Sequence, residues 1–316
     1  MKQHTNSAAI LLNPLRKRIL YAICRLVSRS KDKSQKDHYF NLAQRFRLWA
    51  FPPGSHELVT EMLDAGLDLS IRVNICELVG MQICAGVTFE PHEMAIMKAL
   101  IQPGDVVFDV GANIGIHSLT TSRLVDGGSV YAFEPASFAY QMLLDNLQLN
   151  DIKNVKAVRS IVTDEQGEME LYINSESALT SLGQTKRGEV VSTERVPGIT
   201  IDNFASKNGV SKIDFLKIDV EGYEGHVLRG AENLLANSPD LVILCELAEK
   251  NYKPLNLSID DVVDWVTDHD YGIWEIDKAS GRLIALQNNQ RIPHDQNYVF
   301  LHAGSSKEVL VRKLMV

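Results

Sequence analysis

The sequence predicts an α/β fold, with a mostly parallel sheet, helices on both faces and an N-terminal α/β extension. Three observations predict it. From Asp105 onward, short apolar runs of strand length alternate with helical patterns, which is the rhythm of βα units. Several of these runs end on an acidic residue, and two lead into glycine-bearing turns. At 316 residues, with 45% hydrophobic and 23% charged, the chain is long enough to bury a sizeable core.

The elements follow in order. Residues 1–47 hold eleven Lys or Arg against two Asp, so this arm carries about +9 of a net −8 and leaves about −17 for the rest. Arg16, Lys17, Arg18, Arg25 and Arg29 interleave with Leu15, Ile19, Leu20, Ile23 and Leu26, with Pro14 near the start. That is a basic amphipathic helix, suited either to peripheral contact with an anionic membrane face or to ordinary packing on the body. Residues 30–37 read as a linker or exposed turn. A helix is expected over Ser55–Ala65, then a β-rich run over Leu69–Val79 and Met81–Val87 split by Gly80. A helix over Pro91–Ile101 follows, with Pro in its first turn.

The main domain begins near residue 104. Strands are expected at Val106–Val110, Ser129–Glu134, Val155–Val162, Glu168–Ile173, Ile213–Asp219 and Leu241–Leu247. Helices are expected at Ile114–Leu124, Phe138–Leu149, Tyr223–Leu235, and from an N-cap at Ser258 to about His269. Trp274–Asp277, Leu283–Leu286 and Tyr298–His302 supply late β segments. A polar stretch over 174–198, with Ser175, Ser177, Ser181, Gly183, Gly188 and Gly198, reads as a lid, a substrate loop or a plain surface loop. Within it, Ser177–Leu182 is the piece expected over the ligand. The chain thus divides into an arm (1–47), an extension (48–103), a main domain (104–304) and a tail (305–316).

Composition excludes several classes. The four cysteines are scattered with no C-x-x-C pair, which excludes a disulfide scaffold or zinc ribbon. The acidic body repels phosphate and disfavours nucleic acid. No apolar stretch reaches the ~18 residues of a membrane span, and Ala8–Leu12 is too short for a signal-peptide core. The expected location is therefore cytoplasmic.

In a parallel sheet, ligands bind beyond the carboxyl ends of the strands. The first such loop reads Asp109-Val110-Gly111-Ala112-Asn113-Ile114-Gly115. Gly111 allows a tight turn, and Gly115 lets a helix N-terminus approach a ligand. A dinucleotide fingerprint fails, because Asn113 and Ile116 stand where glycines are needed, and no Walker lysine follows Gly115. Asp109 would repel pyrophosphate and favours a positively charged cofactor without phosphates. Glu134, in Phe133-Glu134-Pro135, lies about 20 residues on and suits a ribose diol. Together these point to S-adenosyl-L-methionine. The later strand end, Lys217-Ile218-Asp219-Val220-Glu221-Gly222-Tyr223-Glu224, can bring Lys217, Asp219 and Glu221 to one tip, because positions two apart share a face. There a carboxylate, Asp219 or Glu221, can act as general base with Lys217 orienting it. Mg²⁺ held by Asp219, Glu221 and Glu246 is the competing route; the preferred reading has no metal.

The order G-D-V-V-F-D-V-G-A-N-I-G, A-F-E-P, N-L-Q-L-N and L-K-I-D-V-E-G-Y-E-G-H-V-L-R-G-A resembles the FkbM-type methyltransferases over roughly Phe89 to Phe300. The resemblance implies a Rossmann-like class I methyltransferase fold with a mostly parallel seven-stranded sheet. It implies O-methylation of a hydroxyl on a sugar, glycolipid, lipid-linked or polyketide-type small molecule. Asp109, Gly111, Ala112, Asn113 and Gly115 would then line the methionine end of the cofactor. Glu134 and Pro135 would hold the ribose, and Asn150 and Ser160 the adenosine side. Lys217, Asp219 and Glu221 would face the acceptor, with Asp219 also bordering the cofactor. Ile116-His117 stands where many relatives carry aromatic residues. Two alternatives remain: a nitrogen-directed methyltransferase, disfavoured by D-V-E-G in place of a D/N-P-P-Y/F loop, and a non-catalytic binding module.

Overall fold

The computed structural model describes residues 7–182, 189–286, 292 and 296–315. The chain forms two compact units, Met1–Leu63 with Ser70–Phe89, and Asp64–Leu69 with Glu90–Val316.

The first unit opens with α1 (Ser7–Arg29) and α2 (Lys33–Ala50), which pack together as a hairpin. Asp32 caps α2 by accepting from the Gln35 N–H at 2.9 Å. Part of the basic arm is used inside this unit. Arg16 donates to the Ala50 carbonyl (3.0 Å), Lys17 to the Leu58 carbonyl (2.6 Å), and Arg25 lies 3.4 Å from Glu61. Next come β1 (Leu58–Asp64) and β2 (Leu69–Asn74), paired in a two-stranded sheet, and α3 (Leu78–Cys84). Two expectations are corrected here. The helix expected over Ser55–Ala65 is the strand β1, where Thr60 and Met62 both face solvent with a period of two. The run after Gly80, expected to be β, is the helix α3. Gly80 does not split two strands; a Cβ there would lie 2.0 Å from the Asn74 carbonyl oxygen, so glycine lets the helix pass against the end of β2.

The second unit begins with α4 (Pro91–Leu100), as expected, and continues with β3 (Val106–Val110), α5 (Ile116–Leu124), β4 (Ser129–Phe133), α6 (Ser137–Leu149) and β5 (Val155–Val158). A short β6 (Ile161–Val162), β7 (Gly167–Asn174) and β8 (Val190–Ile199) form a separate three-stranded sheet. The chain then runs through α7 (Ile201–Asn208), β9 (Phe215–Ile218), α8 (Glu224–Arg229), α9 (Glu232–Ala236), β10 (Val242–Leu247), α10 (Glu249–Tyr252), α11 (Ile259–Asp268), β11 (Tyr271–Ile276), β12 (Leu283–Ala285), β13 (Gln296–His302) and α12 (Glu308–Lys313).

The main sheet has the order β12-β11-β13-β10-β9-β3-β4-β5. The five strands from β5 to β10 are parallel, and β13 enters antiparallel beside β10. Among the described residues the sheet has eight strands rather than the expected seven, the short β12 adding an antiparallel edge beside β11. Successive residues alternate between two cores. Phe108, Phe133 and Phe204 meet on one face with ring centroids 4.9–5.8 Å apart, while Val107, Val130 and Phe215 pack with Ile96 and Met97 on the other.

Two further expectations change. The polar stretch over 174–198 ends in the strand β8, an antiparallel hairpin partner of β7; Gly183 and Gly188 lie outside the described residues. Ser177–Leu179 make one 3-10 turn and Ser181 bridges back to Tyr172. The single helix expected over Tyr223–Leu235 is broken into α8 and α9 at Gly230, where a Cβ would meet the Thr163 carbonyl at 2.1 Å. The tail forms α12, preceded by Lys307, which donates to Asp105 at 2.9 Å.

The chain builds outward from β3 to β4 and β5, then returns to place β9 on the other side of β3. That reversal leaves a crevice at the carboxyl ends of β3 and β9.

Candidate active site

The loop after β3 is held open by its backbone. Gly111, Asn113 and Gly115 have φ of 85°, 49° and 92°. The Gly111 and Ala112 N–H groups both donate to the Phe133 carbonyl, at 3.0 and 2.9 Å. A Cβ on Gly111 would lie 1.8 Å from the Asp219 carbonyl oxygen, so the loops after β3 and β9 meet backbone to backbone. A Cβ on Gly115 would lie 2.6 Å from Leu143 Cδ1. From α6, the fully buried Asn146 donates to the Ile114 carbonyl at 2.9 Å and pins the loop from behind.

Three carboxylates converge on this crevice. Asp109 is buried; its Oδ2 accepts from Ser118 Oγ at 2.5 Å, and its Oδ1 is buried with no hydrogen-bond partner. Asn113 Oδ1 is likewise buried and unpartnered. Glu134 accepts the Asn113 N–H on Oε2 (2.8 Å) and the Ala136 N–H on Oε1 (2.9 Å). Burial nevertheless pushes its carboxyl up to about 7, outweighing those two donors. Asp219, just past β9, lies 3.2 Å from the ammonium of the buried Lys217. Burial opposes ionisation of both, but their mutual attraction wins: Asp219 stays below its ordinary range, and Lys217 is raised by Asp219, Asp109 and Glu90.

Glu246, at the end of β10, shares a proton with Asp219. The charge of Asp219, burial, and the charges of Glu221 and Glu90 lift the Glu246 carboxyl to about 9. The pair therefore holds one proton more tightly than a lone carboxylate would, and the Lys217 ammonium biases the negative charge toward Asp219. Glu221 stands at φ 57° beside Gly222 at φ 110°, a turn braced by the buried Glu224, which accepts the Gly222 and Val220 N–H groups and the Tyr252 hydroxyl. Glu224 is thus a loop brace, in keeping with its place in a helix first turn.

Of the residues singled out from sequence, Asp109, Gly111, Ala112, Asn113, Gly115, Glu134, Pro135, Ser160, Lys217, Asp219 and Glu221 all lie at the carboxyl edge of the parallel strands. Pro135 presents its carbonyl to Arg159 at 3.2 Å, and the buried Ser160 follows the end of β5. Asn150 does not join them. It caps the far end of α6, with its carbonyl bound by Arg123, where the chain turns back toward the amino edge of the sheet. Asn146, one helical turn earlier, is the asparagine that reaches the loop.

Sequence reasoning missed Glu90 and His117. Glu90, at φ 39°, precedes α4, and its Oε2 lies 3.1 Å from Nε2 of the buried His117 in the first turn of α5. Both act electrostatically on the cluster, Glu90 on Lys217 and Glu246, and His117 on Asp219. A signal existed: Phe89-Glu90-Pro91 repeats Phe133-Glu134-Pro135. Among the described residues, no group of three or more His, Cys, Asp or Glu is arranged to hold a metal ion, and no helix is long and apolar enough to cross a membrane.

Residues 109–273, just over half the chain, match the family model described as the methyltransferase FkbM domain. The chain is 30% identical over 155 residues to methyltransferase sdnD of Sordaria araneosa, which covers 40% of this chain and 60% of that protein. It is 29% identical over 161 residues to 31-O-demethyl-FK506 methyltransferase FkbM of Streptomyces tacrolimicus (42% and 62%). It is 27% identical over 146 residues to the hexuronic acid methyltransferase AglP of Haloferax volcanii (45% and 58%). The matches span about 60% of the length of these relatives. The matched segment runs from the Asp109 strand tip, through the Glu134 and Asp219 loops, to β11, and the chain belongs to the FkbM methyltransferase domain family.

Proposed function

We propose that the chain transfers a methyl group from S-adenosyl-L-methionine to a hydroxyl of a sugar, glycolipid or polyketide-type acceptor, with a carboxylate taking the hydroxyl proton. The observation that carries this reading is Asp109, a buried carboxylate at a strand tip with one oxygen left unpartnered. An uncompensated buried acceptor costs roughly 1–3 kcal/mol, a cost that a cationic or N–H-donating ligand removes. Asp109 and Asn113 would hold the ammonium end of the cofactor. Each Glu134 oxygen already accepts one backbone N–H and has one further lone pair, so the carboxylate can take two ribose hydroxyls. When bound, the cofactor supplies a methyl group already activated by its sulfonium, which leaves binding, orientation and proton removal to the chain. The excess of Asp and Glu over Lys217 favours a positively charged ligand.

Asp219 is the proton acceptor: Lys217 keeps it ionised, and protonated Glu246 donates to it. The names of two relatives, a hexuronic acid methyltransferase and a 31-O-demethyl-FK506 methyltransferase, support a sugar or polyketide acceptor. Peripheral contact with a membrane through the basic N-terminal helices belongs to the same reading, since a glycolipid acceptor resides in such a surface.

The test uses labelled S-adenosylmethionine with cell extract, fractionated to isolate the methylated product, which then serves as the assay. Asp219→Asn should lower kcat by roughly 10²–10⁴-fold while S-adenosylhomocysteine binding is retained. If Asp219→Asn turns over near the wild-type rate with binding intact, the assignment of Asp219 as the base fails, and a loss in Glu221→Gln alone would move the role to Glu221.

A pH dependence follows from Glu134. Ribose hydroxyls donate to its ionised form, whereas a protonated carboxyl keeps its proton on an accepting oxygen. With the free-state value at about 7, calorimetric affinity for S-adenosylhomocysteine should rise with pH. The gain between pH 6 and pH 8 is about tenfold, the ratio of ionised fractions. Glu134→Gln should bind weakly and flatten the profile; a flat wild-type profile rejects the role.

A further inference from the structure

We infer that the outward face of the α1–α2 hairpin docks on an anionic lipid bilayer. The inference deepens the membrane contact proposed above and rests on that reading only for the class of partner. Its evidence is that α1 is apolar on two sides. Leu20, Cys24 and Val27 are buried inside the unit, yet Leu15, Ile19 and Leu26 are 54%, 39% and 45% exposed. Their spacing of four and then seven residues puts these three in one row along the helix. A helix that has already buried one apolar stripe has no folding reason for a second.

The second helix repeats the pattern. α2 buries Ala43, Arg47 and Ala50, while Leu42 and Trp49, seven apart, face solvent beside Leu48; Leu48 and Trp49 are 66% and 74% exposed. The Arg16 guanidinium sits over the Trp49 ring, 5.7 Å from its centroid, so the start of the α1 row adjoins the end of the α2 row. Single exposed apolar residues are ordinary on a protein surface; six on one hairpin are not.

Charge selects the partner. Arg18, Arg29, Lys31, Lys33, Lys36 and Arg45 are exposed on the same two helices and the turn between them. The acidic residues there are Asp32, which caps α2, and Asp37. Leu and Trp bordered by Lys and Arg are what a helix lying at a bilayer interface presents, the rings and chains entering the acyl boundary and the cations meeting lipid phosphates. Face-to-face pairing of two such hairpins would set like charges against each other.

Co-sedimentation of the full chain with vesicles of phosphatidylcholine, alone or mixed with phosphatidylglycerol, tests this. Binding is expected only to the anionic vesicles, weakened by salt and accompanied by a blue shift of Trp49 emission. The double variant Leu48→Ser, Trp49→Ser should lose binding. Arg18→Gln and Arg29→Gln should each weaken it roughly fivefold, the equivalent of ~1 kcal/mol per cation. All these side chains lie at the surface, so melting temperature and S-adenosylhomocysteine affinity should stay unchanged, which keeps failure here distinct from failure of the methyl-transfer reading. The inference is overturned by no binding to anionic vesicles, by equal binding of the double variant, or by a dimer in analytical ultracentrifugation that the double variant dissolves.

Discussion

Asp109→Asn should cost the protein most of its affinity for S-adenosylhomocysteine while leaving the fold intact. The amide keeps the shape of the side chain and can still accept from Ser118, which lies 2.5 Å from Oδ2. It loses the charge proposed to face the ammonium of the ligand. Truncating one partner of a buried, charge-assisted contact costs about 2–4 kcal/mol, so the dissociation constant should rise roughly 30- to 1000-fold by calorimetry. The melting temperature without ligand should hold or rise, because a buried carboxylate with an unpartnered oxygen burdens the empty protein. A variant that melts lower but binds normally would mark Asp109 as a structural residue.

Gly111→Ala should instead damage the fold and the site together. The position needs φ of 85°, and a Cβ would fall 1.8 Å from the Asp219 carbonyl oxygen. Neither atom is the end of a flexible side chain, so one loop must move. A cost on the order of 3 kcal/mol corresponds to a drop in melting temperature of about 10 °C for a unit of this size. Gly104→Ala is the matched control: φ is 86° there and nothing lies within 4 Å, so backbone strain acts alone, at about 1 kcal/mol. Equal losses in the two variants would show that the contact with Asp219 contributes nothing.

The sheet and the first-loop residues were legible because both follow from local pattern. Buried parallel strands read as short apolar runs, and an acid at or beside the carboxyl end of such a run lies at the crevice; Asp109, next to last in β3, and Glu134 and Asp219, just past β4 and β9, are all placed this way. The missed features depend on what arrives from elsewhere in the chain. Gly80 looks like a break until the Asn74 carbonyl is seen beside it. Asn150 and Asn146 are alike on paper, and only the angle around α6 decides which one reaches Ile114. Glu90 precedes a proline at the start of an ordinary helix, and its role appears once α4 is placed over the end of the sheet beside His117. The basic arm reads as uncommitted charge because its partners, Ala50, Leu58 and Glu61, lie more than thirty residues away.

The backbone contact of Gly111 with Asp219 bears on redesign. Acceptor preference is naturally sought in the segment after β9, and grafting that segment from a relative is the obvious way to retarget the protein. Because its main chain rests directly on the turn after β3, a graft that shifts residue 219 by a fraction of an ångström is transmitted to Asp109 and Asn113. Chimeras should therefore exchange the two segments as a pair, and single-segment swaps should forfeit nucleoside binding before any new acceptor is gained.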